Sequence, residues 1–187
     1  MQKVIFVFVL LLLLQSATSC QVRKAPDPEL EHFDSISRSA NEALLKRDFA
    51  EAERQFSDAA AYAEKIKWVD GVVMSKRNIS GIKIAQKDLS GAEEVLLDAK
   101  QICLQDQKCS GGQLDSIFGH LVKFYAFRKK DPSKISGLVD EVIGSRSRLA
   151  DSKPIEAILE SISEDLSVAG FKAQAEEVRS RLNELSD

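Results

Sequence analysis

The chain reads as all-α, and three observations carry that expectation. Helix-forming Ala, Leu, Glu, Lys, Gln and Arg dominate, while Tyr, Trp and Thr are nearly absent. Proline and glycine fall at the edges of apolar-periodic segments rather than within them. One helix-turn-helix stretch, Leu44–Ala59, also has a looser copy at Lys87–Ala99, with the turn residues Asp48 and Asp88 separated by 40 positions (88 − 48). In the first copy Ala52 and Ala59 flank Phe56 at helical spacing, with Phe49 at the turn. The second sets Ala92, Leu96 and Ala99 behind Leu89.

The elements follow in order. Asp27-Pro28-Glu29 supplies an N-cap, a proline at the first helical position and an acid in the first turn. Leu30, Phe33, Ser37, Ala40 and Leu44 then carry a first helix to about Arg47. Asp48, three residues before Glu51, reads as a capping-box start for a second helix through Ala52, Phe56, Ala59 and Ala63, ending near Lys67. A turn at Trp68–Gly71 leads to a third helix from about Asp70 to Gln86, where Gly81 suggests a close helix crossing. A fourth begins at Asp88–Ser90 and ends near Gln105, and Asp106–Gly112 is a loop. The fifth, Gln113 to Lys129, is the most aromatic. Asp131-Pro132-Ser133 caps a sixth, Ser145–Lys153 is polar and loop-like at its end, Pro154 opens a seventh, and the turn Ala169-Gly170-Phe171 precedes an eighth. Turns therefore fall at Asp48, Asp88, Asp131 and Gly170. Such regular spacing is the signature of a helical solenoid, in which each hairpin buries its apolar face against its neighbours.

The first residues set an expectation about compartment. A short basic start and the apolar run Val4–Leu14 are too short for a bilayer span, which takes roughly 20 apolar residues, but suit a signal-peptide core. Ser16-Ala17-Thr18-Ser19-Cys20 then resembles a bacterial lipobox, in which the cysteine is acylated and becomes the new N-terminus. The resemblance implies a lipoprotein signal peptide over 1–19, lipidation at Cys20 and a tether over 20–27. Ala17 stands where lipoboxes more often carry Leu, and the alternative is ordinary cleavage nearby with Cys20 incidental. Gln21 rather than Asp after the cysteine implies, by similarity to enterobacterial sorting, a bacterial envelope location at the outer membrane, facing the periplasm.

Removing residues 1–19 takes away one base and no acid, leaving 25 − 29 = −4. Mild acidity without a basic block argues against nucleic acid, whose binding rests on phosphate neutralisation. The remaining length is one domain's worth, residues 28–187. Cys103 and Cys109 are either a disulfide stapling the end of the fourth helix to the following loop, or two free thiols with Cys103 buried. No His or further Cys lies close enough to them to suggest a metal site.

The repeated unit resembles a tetratricopeptide repeat. Ala40, Phe49, Ala52, Phe56 and Ala59 fall on that motif's positions in the first unit, with Arg47 where the family often has Gly. Ser80, Leu89, Ala92 and Ala99 match in the second; the third keeps the Asp131 turn with large aliphatics, and the fourth keeps Gly170-Phe171. The resemblance implies a right-handed α-α superhelix, a TPR-like solenoid of about four hairpins, in which the first helix of each hairpin lines a concave groove. On the motif alignment the groove residues are Arg38, Asn41, Arg77, Asn78, His120 and Phe124, against the plainer reading of each as a solvated or packed position.

No arrangement for catalysis stands out. His32 and His120 sit in no catalytic or metal motif, and there is no phosphate loop, nucleophile elbow or His-Glu-x-x-His pattern. The expectation is a non-enzymatic, lipid-anchored scaffold or adaptor that binds a segment of another envelope protein in its groove, with no metal, cofactor, nucleic acid or small-molecule substrate. The alternative is a structural subunit packed permanently in an envelope complex or homo-oligomer.

Overall fold

The computed structural model describes residues 27–149 and 154–186, and every regular element among them is helical. The signal-peptide segment, Cys20 and all of the tether before Asp27 lie outside the described residues. The helices are α1 (Pro28–Leu45), α2 (Phe49–Lys65), α3 (Val69–Ala85), α4 (Leu89–Gln105), α5 (Gly111–Lys123), a π-helical segment (Phe124–Lys129), α6 (Ser133–Gly144), a one-turn α7 (Arg146–Leu149), α8 (Ile155–Val168) and α9 (Lys172–Ser186).

Small residues set how α1 to α4 meet. Ala52, Phe56, Ala59 and Ala63 of α2 are fully buried, and so, 40 residues on, are Ala92, Leu96, Ala99 and Cys103 of α4. The sequence of buried, half-buried and exposed positions is the same over 51–63 and 91–103. Each buried alanine brings a neighbouring backbone close, and the larger Phe56 or Leu96 fills the space between. Each of α1 to α4 packs against the next in sequence, and α1 also reaches α3. Beyond α4 a larger continuous core, including Leu114, Phe118, Leu121, Val139, Leu159 and Leu166, joins α5 to α9.

The turns share one construction. Arg47, Lys67, Lys87, Lys130 and Gly170 all have positive φ. At Arg47, Lys67 and Lys87 the N–H of that residue bonds the carbonyl three residues back (2.9, 3.0 and 3.0 Å). The next N–H bonds five residues back, as in Asp48 to Ala43 and Asp88 to Lys83 (2.9 and 2.8 Å). This is the Schellman motif, which satisfies helix-end carbonyls and asks for a left-handed residue, normally glycine. Asp48 and Asp88 then cap the next helix, accepting from the N–H of Glu51 and Gly91 at 3.1 and 2.9 Å. Glu51 does not complete a capping box; its carboxylate bonds Arg54 and Gln55 instead.

Three readings of the sequence are corrected. Gly81 is not at a close crossing: a Cβ there would meet nothing within 4 Å, because the residue faces open space. Close approach occurs at Gly71, where a Cβ would lie 2.5 Å from the Trp68 ring and 2.9 Å from Ala63 Cβ. The stretch after Ser145 is not simply loop-like, since Arg146–Leu149 is helical and Leu149 is buried. The fifth helix is not uniformly α either. Phe124, Tyr125 and Ala126 are consecutive and all buried, more than one stripe of an α-helix accommodates, and the wider π turn brings all three inward.

Two tethers hold the middle of the molecule. Cys103 and Cys109 form a disulfide with Cα atoms 5.1 Å apart. Arg148 donates to the carbonyls of Leu104, Asp106 and Cys109 at 2.9, 3.0 and 3.3 Å, fastening the same loop to α7. The π segment has its own brace. Glu93 of α4 accepts from Tyr125 Oη at 2.9 Å and pairs with Lys134 at 2.9 Å and Lys129 at 3.1 Å. These contacts, the Lys134 bond foremost, hold the Glu93 carboxyl at about 2, while burial and then the bond to Glu93 push the Tyr125 phenol up.

Two outcomes follow. Replacing Lys67 with Gly removes the left-handed penalty of a side chain and is expected to stabilise the fold by about 1 kcal/mol, read as a higher urea midpoint at unchanged slope. Glu93 ionises more easily folded than unfolded, so its contribution is complete above the ordinary carboxylate value and is lost as pH falls from about 4.5 toward about 2. Glu93→Gln should therefore be less stable at pH 7 and converge on the wild type near pH 2; a constant gap in unfolding free energy across that range contradicts this assignment.

Candidate functional site

A hollow of about 580 Å³ opens between the C-terminal end of α1, the middle of α3, α4 and the α5–π junction. Its base is apolar and closed. Ile82, Leu96 and Phe124 are at most 2% exposed, with Leu44 and Ile84 half-buried beside them. Phe127, 39% exposed, stands at the edge with its ring available. The volume lies within the usual range for ligand pockets, roughly 300–1,000 Å³.

The polar groups around this base are Arg77, Asn78, Ser80, His120, Lys123 and Arg128, and no carboxylate lines it. That is notable in a chain of net charge −3. Arg77 is half-buried and donates from Nη1 to Ser116 Oγ across the α3–α5 seam. Its guanidinium has five donors, and burial alone shifts its pKa, downward, with no carboxylate contributing. Arg128 is exposed and makes no ion pair among the described residues. Lys123 is the exception, lying 3.8 Å from Asp165 of α8.

His120 marks the boundary of the site. Its Nδ1 lies 2.8 Å from the Ser116 carbonyl, which can only accept, so the neutral ring carries its proton on Nδ1 and leaves Nε2 as an acceptor. Desolvation by the surrounding groups holds its pKa below the ordinary value, opposed by that bond and helped by the charges of Arg77 and Lys123. On its far side a second hollow of about 310 Å³ lies between α5 and α8, sharing His120 and Lys123 with the first and lined also by Asp115 and Asp165. Burial raises the Asp165 pKa, with Lys123 acting against it. The two hollows make one interrupted groove, cationic toward α1 and carboxylate-bearing toward α8.

Of the six groove residues expected from sequence, Arg77, Asn78, His120 and Phe124 come together in the first hollow. Phe124 is 2% exposed and forms floor rather than a contact surface. Arg38 and Asn41 do not line it. Both are exposed on α1, whose contribution to the hollow comes from Leu44. His32, exposed, packs edge-on to Tyr62 with centroids 4.5 Å apart. The sequence reading missed Lys123, Phe127 and Arg128. Arg128 and Phe127 are adjacent on a segment read as ordinary helix, and only the π turn places both at the hollow. The signal that was available is the run of buried-type residues Phe124-Tyr125-Ala126-Phe127, too dense for one helical face.

No protein-family model and no curated protein matches the chain. Among solved structures, the crystal structure of BtubC (BKLC) from P. vanneervenii is similar, with a TM-score of 0.58 at 13% identity over 88% of this chain. This chain spans 66% of that one. At that identity the likeness concerns the fold.

Proposed function

We propose that the chain is a lipid-anchored scaffold or adaptor of the bacterial cell envelope, holding a segment of a partner protein in the groove described above. In this reading α1 to α9 form a TPR-like, right-handed solenoid of about four hairpins. The left-handed turn residues at 47, 87, 130 and 170 support it, since they recur at steps of 40, 43 and 40. The observation that carries the functional reading is the hollow itself: an apolar base flanked by the half-buried Arg77 and the unpaired Arg128. A solvated structural face needs neither a preformed apolar base nor a desolvated cation, and a binding groove uses both. No catalytic role is assigned to His120, whose Nδ1 is committed to a backbone carbonyl.

The anchor belongs to the same proposal. Cys20 would carry the lipid, and the tether before Asp27 would hold the helical domain off an outer membrane on its periplasmic side. No helix among the described residues is long and apolar enough to cross a membrane. A second reading, a subunit packed permanently in a larger assembly, is favoured by Leu45 and Val168, 86% and 79% exposed.

Two measurements test these readings. Palmitate labelling in a bacterial host is expected for the wild type and absent for Cys20→Ala; equal labelling of both disproves the anchor. Affinity capture from detergent-solubilised envelopes should recover a partner with the wild type and with the off-groove Arg38→Ala. Recovery should fall at least about tenfold with Arg77→Ala/Arg128→Ala, the scale of losing about 1.4 kcal/mol of contact. Equal recovery by all three removes the groove from the mechanism, and loss with a Leu45→Ser/Val168→Ser variant alone favours the permanent-subunit reading.

A further inference from the structure

The charge around the groove is unevenly placed, and its placement restricts what can occupy it. In the first hollow the cations Arg77, Lys123 and Arg128 surround an apolar base with no carboxylate among the lining groups. Arg77 carries most of the argument. It is partly desolvated, bonded to a single neutral hydroxyl, and lacks a counterion. A buried charge without a partner is costly, and an incoming carboxylate would both relieve that cost and match the planar fork of the guanidinium. Arg128 stands at the opposite lip, beside Phe127 on the π segment. Across His120 the sign reverses: Asp165 and Asp115 line the adjoining hollow, and Lys123 is drawn toward Asp165.

Building on the groove reading above, we propose that the occupant is a short segment of a partner protein with one or two large apolar side chains and a carboxylate on one side of them only. The apolar groups rest on Ile82, Leu96 and Phe127, and the carboxylate lies between Arg77 and Arg128. The other side of the segment runs over His120 toward Asp165, where a second acid is repelled and a neutral or cationic residue is accepted. The groove thus reads the direction of the bound chain as well as its charge. Phe127 and Arg128 are the residues that confer this. Both are exposed, and both reach the hollow only because the helix widens after Lys123.

Selection from a display library of random 12-residue peptides, using the full-length chain in detergent, tests the proposal without presupposing a partner. The expected binders carry Leu, Ile or Phe next to Asp or Glu, with the acids gathered on one side of the apolar residues. Their affinity falls at least about tenfold when that acid becomes Gln, and by a comparable factor when Arg128→Glu replaces the wild type. Phe127→Ser should weaken the same peptides, with both variants keeping the helical signal and melting temperature of the wild type. Acid-free binders that are lost with Arg128→Glu and Phe127→Ser would keep the groove and overturn the acidic occupant. Acids distributed evenly on both sides would overturn the directional part. Binders unaffected by either variant would overturn the groove reading with it, and no enrichment after repeated rounds would overturn the proposal.

Discussion

The constraint on which the structure depends is the absence of side-chain bulk along one stripe of α2 and the same stripe of α4. Ala52, Ala59 and Ala63, then Ala92 and Ala99, have no exposed surface. Nothing larger fits without moving a backbone, so the distance between neighbouring helices is set by a methyl group. That spacing fixes where each helix must stop and reverse, which is why the turns at 47, 67 and 87 come at equal steps and share hydrogen bonds. Inter-helix ion pairs such as Lys76–Asp98 and Lys83–Glu53, at 2.7 and 3.1 Å, decorate this arrangement. Partly exposed pairs of this kind contribute at most about 1 kcal/mol each, so packing decides the geometry.

The regular part of the fold was therefore legible in residue order, because a repeated steric rule leaves a repeated pattern. Asp48 and Asp88 announced helix starts, and Phe56 and Leu96 announced the facing surfaces. Where the pattern is overridden by the larger core, sequence became a poorer guide. Gly81 looked like a crossing point because glycine usually marks one, yet the crossing lies at Gly71, where the Trp68 ring needs the room. Arg148, in a stretch that read as polar linker, turns out to hold three loop carbonyls. Contacts that close over some 40 positions leave no local periodicity to detect.

The groove was half legible for a related reason. Arg77, Asn78 and His120 follow from helical phase alone, since α3 and α5 keep regular geometry through those positions. Arg38 and Asn41 follow the same phase, but the hollow begins one turn further along α1, at Leu44. The remaining members depend on a change of helix type that no residue-level propensity encodes. Glu93 participates at a distance: by bonding Tyr125, Lys129 and Lys134 it fixes the segment that carries Phe127 and Arg128. A carboxylate on the neighbouring hairpin thus orients part of the groove without lining it.

The π segment also has a meaning for how such a chain can change. An α-helix advances about 100° per residue, so a wider turn is a stored rotation, the phase equivalent of an extra residue absorbed without breaking the rod. After it, the Asp131 N–H reaches six residues back, to Tyr125, where the corresponding contacts of the α1, α2 and α3 turns reach five. Deleting one residue between Phe124 and Lys129 would return the helix to ordinary register, leaving the upstream packing face of Leu114, Phe118 and Leu121 where it is. It would swing everything downstream around the axis, taking Phe127 and Arg128 away from the hollow. Gain or loss of a single codon could therefore convert one groove chemistry into another on an otherwise unaltered scaffold.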